Sequence, residues 1–283
     1  MNHQSPIAVF DSGLGGLTVV RAIRALLPNE PIAYLGDTAR LPYGSKSPAT
    51  VHRFTLECLH FLSTLSPKLL VVACNTASAL ALDSLHDQFD VPVIGVLEPG
   101  ARAAARLPAL KEASAQRVGL IATEATIASN AYPLAVRRID PSIHVVARAC
   151  PLLVPLIEEG RTPDDPIVQM VLKEYLQPFN ELRVSGLILG CTHYPILADA
   201  IAKALGPEVR LVDSAQQTAL AVRDRLAKMD SLAPTGAAPG SLTCYVTDQG
   251  QRFERLAGRF LGQPVGQPIW VAPEMLESQA ISL

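Results

Sequence analysis

The sequence predicts an α/β protein built from two doubly wound, mainly parallel sheets, and three features predict it. Short runs that are apolar at nearly every position alternate with longer stretches of helical period. The runs number about eight or nine, more than one open sheet in a chain of 283 residues holds comfortably. Two of them, far apart in the chain, end in the same way: LLVVACNTASA (69–79) and LILGCTHYPIL (187–197) each place a cysteine at the carboxyl end of an apolar strand, followed by polar residues and a helix. Runs without polar positions suit strands buried on both faces, and helices between them imply parallel crossovers. A (β/α)₈ barrel is the rival arrangement of the same pattern.

In chain order, IAVF leads into LTVVRAIRALL, PIAYLGD into ATVHRFTLECLHFL, KLLVVA into ASALALDSLH, and VPVIGV into GARAAARL. RVGLIAT, HVVARA, GLILG and VRLVDS continue the strand-like runs. Residues 229–241, MDSLAPTGAAPGS, are rich in Pro, Gly and small polar residues and read as a surface loop. LTCYVTD then reads as a strand of alternating type, and a last helix spans about Arg252 to Leu261.

Composition narrows the function. Although 49% of the residues are hydrophobic, no apolar run approaches the roughly 18 residues of a spanning helix, so no membrane segment is predicted. The start, MNHQSPIAVF, has neither a basic leader nor a long apolar stretch with a cleavage site, so a cytoplasmic location is expected. Net charge is −2, with 24 basic and 26 acidic residues dispersed along the chain, which offers no basic block to nucleic acid or anionic membrane. A small-molecule substrate is expected instead. The five cysteines, at 58, 74, 150, 191 and 244, form no CxxC pair and none of the short spacings of a zinc site, so free thiols and no metal are expected.

In open α/β sheets, ligands bind where strand carboxyl ends meet helix N-termini, and both Cys74 and Cys191 fall there. A helix N-terminus lowers a thiol pKa, which makes such a cysteine a base or a nucleophile. A nucleophilic Cys191 with His193 as its base is one option, and two matched thiols sharing a site is the other. Cys58 lies on the stripe Val51, Phe54, Cys58, Phe61, Leu62, Leu65, and Cys244 shares a strand face with Leu242 and Val246, so both read as core. Cys150 is assigned a structural role.

The first strand ends in FDSGLGGLTVV, where Asp11 and Ser12 meet a glycine turn. A dinucleotide fingerprint is disfavoured, because Thr18 occupies the third glycine position and Asp11 would face the phosphates. The turn instead sets a carboxylate and a hydroxyl beside a reacting centre, or Asp11 caps a helix. GDTARLPYGSKSP (36–48) reads as a loop over a strand end, with the Tyr43 phenol and the Gly44 amide available to a substrate carboxylate. In CPLLVPLIEEG, the apolar run before Glu158 predicts a partly buried carboxylate there, whereas Glu159 is expected in solvent.

Together, FDSGLGGLTV, YLGDTARLPYG, ACNTASA, VIGVLEPGARAA, CPLLVPLIEEG, LGCTHYPIL and VDSAQQTA resemble the glutamate racemases of the cofactor-independent aspartate/glutamate racemase superfamily, in order from position 9 to about 219. The resemblance implies two α/β domains related by a pseudo-twofold axis with the active site between them. One would comprise residues 1–98 and 211–283, the other 99–210. It implies interconversion of L- and D-glutamate without a cofactor, D-glutamate going to peptidoglycan synthesis, and a homodimer. It further implies that Cys74 deprotonates D-glutamate and Cys191 L-glutamate, assisted by Asp11 on the Cys74 side and by His193 and Glu158 on the other. Ser12, Tyr43, Gly44, Asn75, Thr76 and Thr192, with Asp11 and His193, match the segments that hold the substrate. Aspartate racemases resemble this pattern but carry an acidic residue where His193 stands, so the Cys-Thr-His order favours glutamate. Racemisation of aspartate, or a binding protein that keeps the fold without the activity, are the alternatives.

Overall fold

A computed structural model describes residues 3–108, 116–248 and 250–281 of the chain. Among them are ten strands: β1 (Ile7–Asp11), β2 (Ile32–Gly36), β3 (Leu69–Val72), β4 (Val93–Gly95), β5 (Arg117–Ala122), β6 (His144–Ala149), β7 (Gly186–Gly190), β8 (Arg210–Asp213), β9 (Leu242–Val246) and β10 (Ile269–Trp270). They form two all-parallel sheets, ordered β10-β9-β2-β1-β3-β4 and β6-β5-β7-β8. Two flanked sheets replace the barrel alternative.

Strands β2-β1-β3-β4 and β6-β5-β7-β8 follow the same order, so the sequence echo at the two cysteines is an echo of topology. The expected boundary at 211 falls within β8, which pairs with β7 in the smaller sheet.

Alternation along β1 divides the larger sheet's core. Ile7 and Val9 join the cluster under the helices Leu17–Leu26 and Gln251–Leu261, while Ala8 and Phe10 face the helices Pro48–Ser63 and Pro273–Ile281. The first cluster runs without a break into the smaller sheet through Ile121, Leu187 and Leu189, so one apolar core ties the two sheets together. The helices between strands start where sequence chemistry puts them. Ser47 accepts from Thr50 N–H ahead of Pro48, Asp165 accepts from Ile167 N–H ahead of Pro166, and Asp213 accepts from Ala215 N–H.

Two expectations are adjusted. ASALALDSLH is not one helix: Ala81 leaves helical geometry, at φ −126° and ψ −31°, between the helices Asn75–Leu80 and Leu82–Leu85. The chain also continues past the expected last helix into β10 and the helix Pro273–Ile281. Cys58 and Cys244 are core residues as their stripes predicted, and Cys150 is fully buried beside Leu153 and Ile157. No helix among the described residues is long and apolar enough to cross a membrane.

Candidate active site

The carboxyl ends of β1 and β3 and of β5 and β7 face a shared cavity of about 330 Å³. That is the lower end of the roughly 300–1,000 Å³ range of small-molecule sites, and fits a ligand of amino-acid size. The larger sheet contributes Ser12, Tyr43, Gly44, Cys74, Asn75 and Thr76, and the smaller contributes Thr123, Glu158, Cys191, Thr192 and His193. Asp11 lies just behind, buried, with its carboxylate accepting from Gly13 N–H at 2.9 Å and from Thr192 Oγ1 at 3.5 Å. All eleven residues singled out in the sequence are therefore at or against one cavity.

Strand register explains how the halves match. Phe10 pairs with Val72, so Ser12 stands level with Cys74; Ala122 pairs with Gly190, so Thr123 stands level with Cys191. Cys74 precedes the helix Asn75–Leu80, and its Sγ lies 3.4 Å from Ser12 Oγ. Cys191 follows β7 directly, its Sγ 3.9 Å from His193 Nδ1. His193 Nε2 is 3.0 Å from Glu158 Oε1, brought in by the short helix Leu153–Glu158. Glu158 is mostly buried and Glu159 exposed, as the apolar run predicted.

Electrostatics differ between the two thiols. Burial, then the charge of Asp11, pushes Cys74 up to about 12, against hydrogen bonds from Ser12 and the Ala77 N–H that pull it down. The expected lowering by a helix N-terminus is present but outweighed, so Cys74 is a neutral thiol at pH 7. At His193, burial disfavours the charged ring, but hydrogen bonds to Cys191 and Glu158, with their charges, hold it up to about 10. A protonated His193 donates one ring N–H toward Cys191 and the other to Glu158. Burial also raises Asp11, offset by the His193 charge and by the Gly16 and Gly13 N–H groups.

One glycine-dependent approach and one hydrogen bond bring the halves together. A Cβ on Gly15 would stand 2.2 Å from Thr192 Oγ1 and 2.5 Å from His193 Nδ1, so only glycine lets the β1 loop lie against the Cys-Thr-His turn. Beside it, Thr18 Oγ1 donates to the Thr192 carbonyl at 3.0 Å.

One expected role meets a competitor. The Tyr43 phenol donates to the buried Asp37 at 2.5 Å, and Arg40 binds the same carboxylate at 2.7 Å. Tyr43 therefore fixes the loop, and Gly44, packed on the Thr123 side chain, offers its backbone. Residues that sequence reasoning missed are Thr123 and Thr126, which form a hydroxyl cluster with Thr76 at 3.0 and 3.3 Å, and Tyr132, which donates to Asn75 Oδ1 at 2.6 Å. With its oxygen held, Asn75 keeps a buried Nδ2 that has no hydrogen-bond partner among the described residues.

A protein of Geobacter metallireducens named glutamate racemase is 48% identical over 268 residues, covering 95% of this chain and 97% of its own. One of the same name from Chlorobaculum tepidum is 45% identical, covering 93% and 94%. In three dimensions the chain matches the glutamate racemase of Francisella tularensis, solved with D-glutamate, at a TM-score of 0.88 and 38% identity, covering 98% of this chain and 99% of that one. It matches that of Thermus thermophilus, solved with β-chloro-D-alanine, at 0.85 and 45% identity, covering 97% and 100%. Residues 17–222 match the Asp/Glu/Hydantoin racemase family model, and the chain belongs to that family.

Proposed function

We propose that the protein interconverts L- and D-glutamate by moving the α-proton between two thiols, Cys74 and Cys191. The observation that carries this reading is their placement: the same position in two sheets of like strand order, opening on one small cavity, each with its own proton-handling neighbours. The names of the similar proteins supply the substrate.

Racemisation takes a weakly acidic proton from one face of a carbon and delivers one to the other, so two groups must flank it in opposite protonation states. For L-glutamate, Cys191 takes the proton as thiolate while the His193 imidazolium, anchored by Glu158, stabilises its charged form. Cys74 gives its thiol proton to the opposite face. For D-glutamate the roles exchange, and Cys74 must first lose its proton. Asp11, its own pKa raised by burial, is the better acceptor for it, and a substrate ammonium beside the thiols supplies positive charge that lowers Cys74.

The carbanionic transition state spreads charge onto the α-carboxylate. The unpaired Asn75 Nδ2, with hydroxyls at Thr76 and Thr192, offers donors to it; Ser12, the Gly44 amide and the backbone of Asp11 and His193 hold the rest of the substrate. In this reading the residues of each sheet form one domain of a cytoplasmic homodimer, no cofactor takes part, and the D-glutamate serves peptidoglycan synthesis.

The test is solvent-deuterium exchange at the α-carbon of each glutamate enantiomer, and of aspartate, with purified protein and no added cofactor. Cys74→Ala and Cys191→Ala are expected to abolish racemisation, and Cys58→Ala to retain it. Full racemisation in either of the first two variants would overturn the two-thiol transfer, and preference for aspartate would overturn the substrate.

A further inference from the structure

The helix Gln251–Leu261 lies wholly beyond the residues matched by the family model, yet it reaches the acid/base side of the cavity. Phe253 packs on Tyr34 of β2, with ring centroids 6.5 Å apart, which fixes the helix to the larger sheet. In its last turn, Arg259 donates through Nη1 to the carbonyl of Ile157 and through Nη2 to that of Arg161, each at 2.9 Å. These carbonyls flank the end of the helix Leu153–Glu158, whose chain turns at Gly160, with φ +88°. The next residue, Phe260, is fully buried and sets its ring edge-on to His193, centroids 5.0 Å apart at 79°. Arg259 therefore grips the backbone on both sides of Glu158 while Phe260 sets the ring to which Glu158 is bonded.

We propose that Arg259 is a positioning residue, holding Glu158 in line with His193 so that the ring stays aimed at Cys191. The consequence for the reaction rests on the thiol-transfer reading above; the positioning itself does not. The end of this six-residue helix is closed by the Glu159, Gly160 and Arg161 N–H groups on the Pro155, Ile157 and Leu156 carbonyls, and the two charge-assisted donors of Arg259 tie that turn to another element. Glu158 is the last residue of this helix, so displacing the end displaces its carboxylate, and a hydrogen bond of 3.0 Å has little slack.

Among the described residues, the titratable groups that act on His193 are Cys191 in its own turn, Glu158 from the short helix and Asp11 from β1; the Gln251–Leu261 helix presents to it the uncharged Phe260 ring. The ring's titration therefore reports on Cys191 and Glu158 together in the resting protein, without turnover, and a Glu158→Gln background separates the two.

The experiment follows the His193 imidazole by nitrogen NMR across pH, alongside kcat and KM for both enantiomers, in the full-length chain. In Arg259→Met the midpoint is expected to fall from about 10 toward the free-imidazole value of 6.5, with kcat reduced about 10- to 100-fold and KM little changed. Arg259→Lys keeps donors at that position and should restore most of both. Glu158→Gln should lower the midpoint by itself, and adding Arg259→Met to it should change neither midpoint nor kcat further. An unmoved midpoint in Arg259→Met, or an effect that persists in full in the Glu158→Gln background, overturns the proposal. If Arg259→Met does not fold, Arg259→Gln gives the same readouts. A midpoint that shifts as expected in a protein that fails to racemise glutamate leaves the positioning role standing and removes the activity.

Discussion

Gly15→Ala puts one methyl group where the two halves of the cavity touch. Its Cβ would meet Thr192 Oγ1 at 2.2 Å, His193 Nδ1 at 2.5 Å and His193 Cε1 at 2.8 Å, where ordinary contact begins at 3.4 Å. The Cys191-Thr192-His193 turn must retreat by about 1 Å, and displacement of that size at a reacting group costs on the order of 100-fold in rate. Gly15 is not in the left-handed region, so alanine strains no dihedral there, and the whole effect comes from the contact. Overpacking costs about 1–3 kcal/mol, partly offset by up to about 1 kcal/mol from a less flexible unfolded chain. The expected outcome is a loss of about 1–2 kcal/mol in urea unfolding together with a roughly 100-fold fall in deuterium exchange at the glutamate α-carbon. Gly258→Ala is the control: it lies within the helix Gln251–Leu261 with nothing nearer than 3.6 Å, and should be neutral or stabilise by up to about 1 kcal/mol. Exchange within threefold of wild type in Gly15→Ala would refute the close apposition of the β1 loop and the Cys-Thr-His turn.

Two further outcomes follow from the hydrogen bonds and charges of the site. Tyr132→Phe removes the donor that holds Asn75 Oδ1, freeing the amide to turn; KM for glutamate should rise about 10-fold, and the change should have no effect in an Asn75→Ala background. The fold should also weaken in alkali. His193 is held up to about 10 against an unfolded value near 6.5, so its contribution is complete below about pH 6.5 and is lost as the pH rises through 10. Cys74, at about 12 against 9.0, removes stability between pH 9 and 12 in the same sense. Each group adds a slope of up to about 1.4 kcal/mol per pH unit, and His193→Asn should flatten the part between pH 6.5 and 9 in urea titrations. An identical slope in that variant would refute the charged pair with Glu158.

Strands β1, β2, β3, β5 and β7 were legible because each is an apolar run bounded by a turn, and parallel strands covered on both faces leave just that trace; β4, β6 and β8, at the sheet edges and only partly buried, were legible from shorter apolar stretches between turns. β10 was not, because Ile269 and Trp270 form a two-residue exposed edge with no periodicity to detect. At the site, Cys74, Cys191, Asp11 and Ser12 were legible because strand ends converge in open α/β sheets. The Glu158–His193 bond joins residues 35 apart, and only the packing of the short helix brings them together. The bond of the Tyr43 phenol to Asp37 was not legible, because Asp37 looks in sequence like any loop carboxylate. Thr123 had a usable signal that went unread: once the two cysteine strands are matched, the residue after β5 must stand to Cys191 as Ser12 stands to Cys74.

The same correspondence shows where the halves diverge, and with what kinetic result. Strand order is shared, but Cys74 sits beside a carboxylate and a hydroxyl, whereas Cys191 sits beside an imidazole backed by a carboxylate. Under the proposed transfer, the resting protein therefore sets a neutral Cys74 opposite a charged His193, an arrangement suited to L-glutamate. Yet the enantiomers are mirror images with an equilibrium constant of one, so kcat/KM must be equal in the two directions however unequal the thiols are. The asymmetry can surface only as a compensated difference: the direction with the larger kcat must carry a KM larger by the same factor. Measuring both constants in both directions checks it, and equal kcat values together with equal KM values would mean that the unlike surroundings of the two thiols leave no trace on turnover.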